Sequence, residues 1–335
     1  MANSRAEDRV SKRLKFRDLR VFFAVVASGS MAEAARQLNL TQPAVSEIIA
    51  QLEHLFAARL FDRTTRGVEV TIFGRALLGR AHAAFDEMKQ GVRDIEFLTD
   101  PTRGEVRVGC AQRLSAAIMP QIVERFSQRY SHVVLHIDEL APLTRDLSGL
   151  RDRKYDLLMG RPNKPLEKES FGDDVNLEIL FEDRFIVASG KDARWARRRK
   201  IDLADLIEAR WVLTAPDTLG YTGVAEAFRR RGLAMPEVTV ISSSVMVANH
   251  LLTKNQAITV TSKFAAETAG LHVLPIDLGI GSWPALIFTL KNRTLNPVAE
   301  RFIACAREVV KSIASRPNGR AHSERNVAKV HSRLR

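Results

Sequence analysis

Thr41, Gln42 and Ser46 place two hydroxyls and an amide in the segment "LTQPAVSEIIAQLEHLF", Leu40 to Phe56, beside Pro43 and Ala44. Val45, Ile48, Ile49, Leu52, Leu55 and Phe56 recur there at three- and four-residue steps, so the segment reads as an amphipathic helix whose buried side they form. Gln42, Pro43, Ser46, Glu47 and Ala50 are left facing outward. The exposed first turn therefore lacks the usual Lys and Glu. Short amides and hydroxyls let a helix backbone approach base edges in a DNA major groove and hydrogen-bond them, while Pro43 and Ala44 offer flat contact to thymine methyls. Catalytic chemistry has no comparable foothold. The chain contains no G-x-S-x-G, P-loop, H-E-x-x-H or dinucleotide glycine fingerprint, and its histidines are few and scattered. No catalytic residue, metal ligand or cofactor is assigned, and an enzyme is not expected.

The surrounding elements must hold that helix. Thr41 is its N-cap, and Pro43 is tolerated where first-turn N–H groups have no helical partner. Upstream, "FRDLRVFFAVVASGS" repeats Phe16, Leu19, Phe23 and Val26 at helical spacing and stops at Gly29. Ser30 and Glu33 match a capping box that starts a second short helix, with Ala34 and Ala35 small enough for a close crossing. Two short helices with a tight link form a helix-turn-helix. "LFDRTTRGVEVT", Leu60 to Thr71, then reads as a β-hairpin wing, with Arg63 and Arg66 placed to bind phosphates, contacts that position a protein without reading sequence. The helical pattern from Ile72 to Leu98 is too long to pack along so small a head. It is expected to be a connector that dimerises, through Leu78, Phe85 and Met88.

Turn and breaker residues in "TDPTRG", Thr99 to Gly104, mark the clearest boundary. Beyond it, "VRVGC", "VVLHID", "DLLMG", "FIVAS", "WVLTA", "VTVIS", "AITVT" and "LIFTL" read as strands, alternating with helices that begin near Ser115, Thr222, Val245 and Pro297. That alternation predicts an α/β domain with mostly parallel sheets. The net charge of +12 is spread out: residues 1–100 carry 15 basic and 13 acidic side chains, residues 101–315 carry 30 and 25, and residues 316–335 carry 6 and 1. Total charge therefore does not mark out a nucleic-acid-binding head; the local pattern does. Residues 316–335 are expected to be a basic disordered tail. Cys110 and Cys305 show no metal or dithiol spacing and read as buried small hydrophobes. The absence of a long apolar run and of a secretory signal predicts a cytoplasmic protein with no membrane span.

The stretch "LRVFFAVVASGSMAEAARQLNLTQPAVSEIIAQLEHLFAARLFDRTTRGVEVTIFG" resembles the N-terminal domain of the LysR-type transcriptional regulators, through "GS…AA", "LTQPAVS", "QLE", "LFDR" and the wing that ends in Thr71 and Gly74. "GEVRVG", "MPQIVERFSQRYSHVVLHIDE" and "LRDRKYDLLMG" resemble the start of that family's effector-binding domain. The resemblance implies an all-α winged helix-turn-helix at 14–72, a connector helix at 73–98, and a two-lobed effector domain at 104–315 similar to periplasmic binding proteins. Lobe I would span about 104–160 and 283–315, and lobe II about 161–282, with the chain crossing near Gly160 and returning near Ser282. Late in lobe II the family carries a glycine-rich turn and Pro, where this chain has "NQAITVTSK". DNA contacts would come from Ser30, Thr41, Gln42, Pro43, Ala44, Ser46, Arg63 and Arg66. Effector contacts would come from Gln112, Arg113, Ser115, Arg161, Thr214, Ser243 and Ser244, with Arg113 or Arg161 facing a ligand carboxylate. The implied partners are double-stranded DNA with an interrupted palindromic operator, a small-molecule effector (an organic acid or a sugar), RNA polymerase, and further copies of the chain in a homodimer or homotetramer.

Overall fold

Helix α1 (Phe16–Ser28) ends where Gly29 adopts φ 64°, its N–H returning to the Val25 carbonyl at 2.9 Å. The computed structural model describes residues 12–64, 67–141, 146–162, 171–254 and 256–314, together with Val10. Residues 1–89 and 90–335 form two units. The tail 316–335 and Arg66 lie outside the described residues.

In the first unit, α1 buries Leu19, Val21, Phe22 and Val25. The expected stripe through Phe16, Phe23 and Val26 is therefore displaced. Adjacent Phe22 and Phe23 serve two neighbours: Phe22 packs on Phe61 (5.3 Å between ring centroids), whereas Phe23 stacks on His82 at 4.4 Å and meets Phe85 at 5.2 Å. Helix α2 (Met31–Leu38) buries Ala34 and Ala35. Helix α3 (Gln42–Phe56) buries Val45, Ile48, Ile49, Leu52 and Leu55, as its periodicity dictates. Each such side chain contributes about 1.5–3 kcal/mol relative to exposure. The wing is an antiparallel pair, β1 (Phe61–Thr64) and β2 (Gly67–Val70), with Arg63 opposite Val68.

Helix α4 (Ile72–Thr99) follows. Of the three residues expected to dimerise, Leu78 is half-buried against the head core, and Phe85 sets its ring edge-on to Phe16 at 5.0 Å. Both are half-buried and turn part of their apolar surface toward their own head. Met88, Val92, Ile95 and Leu98 are the exposed large apolar groups along the rest of the helix.

The second unit contains β3 (Arg103–Ala111), α5 (Gln112–Arg129), β4 (His132–Leu140), β5 (Leu157–Gly160), β6 (Val175–Ser189), β7 (Trp211–Leu213), α6 (Leu219–Arg230), β8 (Val238–Ile241), α7 (Val245–Lys254), β9 (Ile258–Ser262), α8 (Lys263–Thr268), β10 (His272–Val273), β11 (Ser282–Leu290) and α9 (Pro297–Ala314). The strand order is β4-β3-β5-β11-β6-β9-β7-β8, with β10 on β6. Strands β3, β4 and β5 are mutually parallel in one lobe, as are β7, β8 and β9 in the other. Strands β6 and β11 are antiparallel to their neighbours, so the sheet is mixed rather than mostly parallel.

The lobes are joined by β6 itself. Its first half pairs with β11 in lobe I and its second half, Phe185–Ser189, pairs with β9 in lobe II. The outward crossing thus lies near Asp183, not near Gly160, because residues 175–181 still belong to the lobe I sheet. The return comes with β11, which starts at Ser282. Lobe I is cored by Val106, Val108, Ile118, Ile122 and Phe126 against Phe302 of α9, and lobe II by Trp211, Val224, Phe228 and Ile258. Among the described residues no helix is long and apolar enough to cross a membrane.

Candidate nucleic-acid interface and ligand cleft

The exposed face of α3 is built from its cap outward. Thr41 Oγ1 accepts the Ala44 N–H at 3.3 Å, which satisfies one of the free donors of the first turn and fixes where the helix begins. Thr41, Gln42 and Pro43 are exposed, and Ala44 and Ser46 are half-buried at the edge of the stripe. No acidic side chain stands in this turn. Ser30 is an N-cap rather than half of a capping box. Its hydroxyl accepts the Glu33 N–H at 3.4 Å, but its own N–H donates to Ser28 Oγ at 3.3 Å, and the Glu33 carboxylate pairs with Arg36.

The wing is fastened to this helix and to the α1–α2 turn. Glu53 of α3 accepts the N–H groups of Leu60 and Phe61 on one carboxylate oxygen, at 2.7 and 3.2 Å. The Val68 N–H donates to the Gly29 carbonyl at 2.9 Å. The backbones meet so closely that a Cβ on Gly67, at φ 138°, would stand 2.3 Å from Gly29 O. Thr71 starts α4: its hydroxyl donates to Arg59 O at 2.7 Å and accepts the Gly74 N–H at 3.0 Å. A Cβ on Gly74 would sit 2.3 Å from the Leu60 carbonyl. Glu53 was not singled out in the sequence, although its place in "QLE", separated by six residues from "LFDR", was the available signal. Arg63 is placed in β1, at the register of Val68.

In the second unit, the residues expected at the cleft all follow the carboxyl ends of parallel strands: Gln112, Arg113 and Ser115 after β3, Arg161 after β5, Thr214 after β7, and Ser243 and Ser244 after β8. Open α/β sheets bind ligands at such ends. Ser244 caps α7 by accepting the Val247 N–H at 3.3 Å, Thr214 hydrogen-bonds Thr218, and Ser243 is exposed. Ser115 is buried.

The two candidate arginines differ sharply. Arg161 donates through Nη1 to the Trp283 carbonyl at 2.9 Å and through Nη2 to Asp183 at 3.0 Å, and lies over the Phe181 ring. Its charge is matched from within the chain, because the crossing of β6 and β11 brings Asp183 to it, which leaves Arg113 as the better placed of the two for a ligand carboxylate. Arg113 has no such neighbour. Its Nε and Nη2 are buried without a hydrogen-bond partner, and burial pulls the guanidinium below its ordinary pKa. Arg113 lines a cavity of about 120 Å³ between α5, α7, β9 and α8. None of the other expected effector residues lines it. Missed in the sequence were Asn249 of α7, Thr261 of β9 and Thr268 of α8: α8 is too short to show a period, and nothing local shows which polar residues of α7 and β9 face a common cavity. Cys110 and Cys305 are free and buried in the lobe I core, and burial pushes both thiols up.

Comparison with known proteins agrees with this architecture. Residues 16–75 match the family model described as "Bacterial regulatory helix-turn-helix protein, lysR family", and residues 99–311 match "LysR substrate binding domain". The HTH-type transcriptional regulator TdcA of Escherichia coli is 29% identical over 238 residues, covering 71% of this chain and 74% of that protein. The regulator GbpR of Azospirillum brasilense is 25% identical over 301 residues, covering 88% and 86%. The solved structure of a full-length OxyR variant from Pseudomonas aeruginosa shares the fold at TM-score 0.57 and 18% identity, covering 89% of this chain and 95% of that one. A helix-turn-helix whose last helix has a capped first turn without acidic groups, with its wing, followed by a two-lobed α/β domain and matched over both parts, makes the chain a member of the LysR family of bacterial helix-turn-helix transcriptional regulators.

Proposed function

We propose that the protein acts as an oligomer whose paired heads read an interrupted palindrome in double-stranded DNA, and that a small organic acid or sugar-derived effector bound between the lobes sets its activity. The observation that carries this reading is the first turn of α3. Thr41, Gln42 and Pro43 stand exposed there, free of acidic groups, on a helix whose opposite side is locked into the head core. Gln42 and Ser46 would read base edges and Arg63 and Arg66 would hold phosphates. Two heads reading half-sites one helical turn apart combine their energies, which suits a first segment carrying only 15 basic against 13 acidic side chains.

An effector that binds one arrangement of the two lobes more tightly favours that arrangement, and the paired heads change spacing accordingly. The joint at β6 and β11 supports such a motion, since among the described residues two strands pass between lobes. RNA polymerase is the partner through which bound regulator would alter transcription, and DNA as target puts the protein in the cytoplasm. The test is genome-wide mapping of bound DNA, then gel shift on the mapped sites with metabolites nominated by neighbouring genes. A sharp set of interrupted palindromes supports the reading. Diffuse, salt-sensitive binding without preferred sites refutes it.

A further inference from the structure

We propose that the junction of α5, α7 and α8 is a binding site for a small monocarboxylate with a short apolar body, held through Arg113. The inference rests on reading the α/β domain as a small-molecule sensor, and it adds a location and a ligand class. The location is not the row of strand ends. Of the residues expected there only Arg113 lines this cavity, which is otherwise made by helix faces and by Thr259 and Thr261 of β9.

Three observations converge. The guanidinium Nε and Nη2 of half-buried Arg113 are buried and make no hydrogen bond among the described residues, and buried donors left unpaired are costly unless something else pairs with them. Among the described residues no acidic side chain lines the cavity, so the charge is not answered from within its walls. The walls mix alkyl groups, from Ala117, Val245, Ala248 and Leu252 among others, with the hydroxyls of Thr259, Thr261 and Thr268, so a short alkyl body finds apolar contact on part of the wall and polar groups on the rest. Because Arg113 is the single cation in the lining among the described residues, a monoanion balances the site and a dianion leaves a charge stranded. The planar guanidinium matches a carboxylate with two parallel hydrogen bonds.

Size narrows the class further. An apolar cavity of about 150 Å³ accommodates benzene. At about 120 Å³ this one suits a slightly smaller body. Asn249 and Thr261 lie in the same lining to accept or donate a further hydrogen bond.

The test titrates the full-length protein with isobutyrate, with isobutyramide and succinate as controls, by calorimetry and thermal unfolding. Isobutyrate is expected to bind saturably and raise Tm. Isobutyramide, the same shape without charge, should bind about 10- to 100-fold more weakly, the loss expected for charge-assisted hydrogen bonds. Arg113→Met should abolish the response and raise the Tm of the ligand-free protein, since it removes an unmatched buried charge. Glu237→Gln, an exposed change away from the cavity, should leave isobutyrate binding unchanged. The proposal is overturned if isobutyrate does not bind, if Arg113→Met still binds it, or if succinate or the amide binds as well. Operator binding by the same preparations keeps the two readings apart. Specific DNA binding without a carboxylate response sinks only this site, whereas absence of specific DNA binding sinks the regulator whatever the titration shows.

Discussion

One carboxylate oxygen of Glu53 accepts two consecutive backbone N–H groups, Leu60 at 2.7 Å and Phe61 at 3.2 Å, and so ties helix α3 to the first strand of the wing. Leu60 and Phe61 are themselves buried, so these donors have no water to fall back on. Glu53→Ala should destabilise the head by about 1.5–3 kcal/mol, the range for hydrogen bonds to a charged group, with Glu53→Gln intermediate. Urea unfolding monitored in the head measures it; a change near zero would show that the wing is held by packing alone.

Gly67 allows the wing to lie against the α1–α2 turn. Its φ of 138° and the 2.3 Å separation a Cβ would have from Gly29 O make any side chain there a wedge. Gly67→Ala should cost about 1–3 kcal/mol of local strain and weaken DNA binding by displacing the wing. Gly79, which has open space around it, is the internal control. Equal effects at both positions would show that the close approach does not matter.

Arg161 and Asp183 are paired at 3.0 Å, buried where the lobes join. Asp183 also accepts the Phe264 N–H at 3.3 Å, so it links the crossing strand to the start of α8. Asp183→Asn should destabilise the second unit by about 3–5 kcal/mol, because it strands a buried guanidinium, and Arg161→Met with Asp183→Leu should recover most of that loss. Denaturant midpoints of the three proteins decide it. No recovery in the double variant would mean that the backbone contact to Asp183, not the ion pair, carries the stability.

Met88, Val92, Ile95 and Leu98 form the uncovered apolar stripe of α4, with Ile95 67% and Leu98 78% exposed. Val92→Asp with Ile95→Asp should lower the oligomeric state measured by sedimentation at micromolar concentration, while a head-facing change such as Leu78→Ala should act on stability instead. Retention of the wild-type oligomer by the double Asp variant would place the interface elsewhere.

What could be read from residues alone follows the range of the forces involved. Helix α3 was legible because its cap, its period and its turn lie within a few residues of each other. Gly29 was legible for the same reason, and so were the eight apolar strand cores. Long-range pairings were not. Nothing local distinguishes Arg113 from Arg161; the difference is Asp183, 22 residues away in sequence and delivered by strand crossing. The first half of β6, "VNLEILFED", was missed because its alternation includes charged residues that look solvated. One of them, Glu178, is in fact held bidentate by Arg307 of α9 at 2.6 and 2.8 Å. The head-facing role of Phe85 was hidden by its place in a connector pattern that looked continuous.

The central claim is that the first turn of α3 reads base edges. The most direct measurement is quantitative binding of wild type and of a Gln42→Ala, Ser46→Ala double variant to a mapped operator and to single-base substitutions of it, at fixed salt. Loss of about 1–3 kcal/mol per contact, with a flattened preference at the bases those side chains face and an unchanged salt slope, is the predicted result. Unchanged affinity and unchanged base preference would contradict the assignment of α3 as the recognition helix.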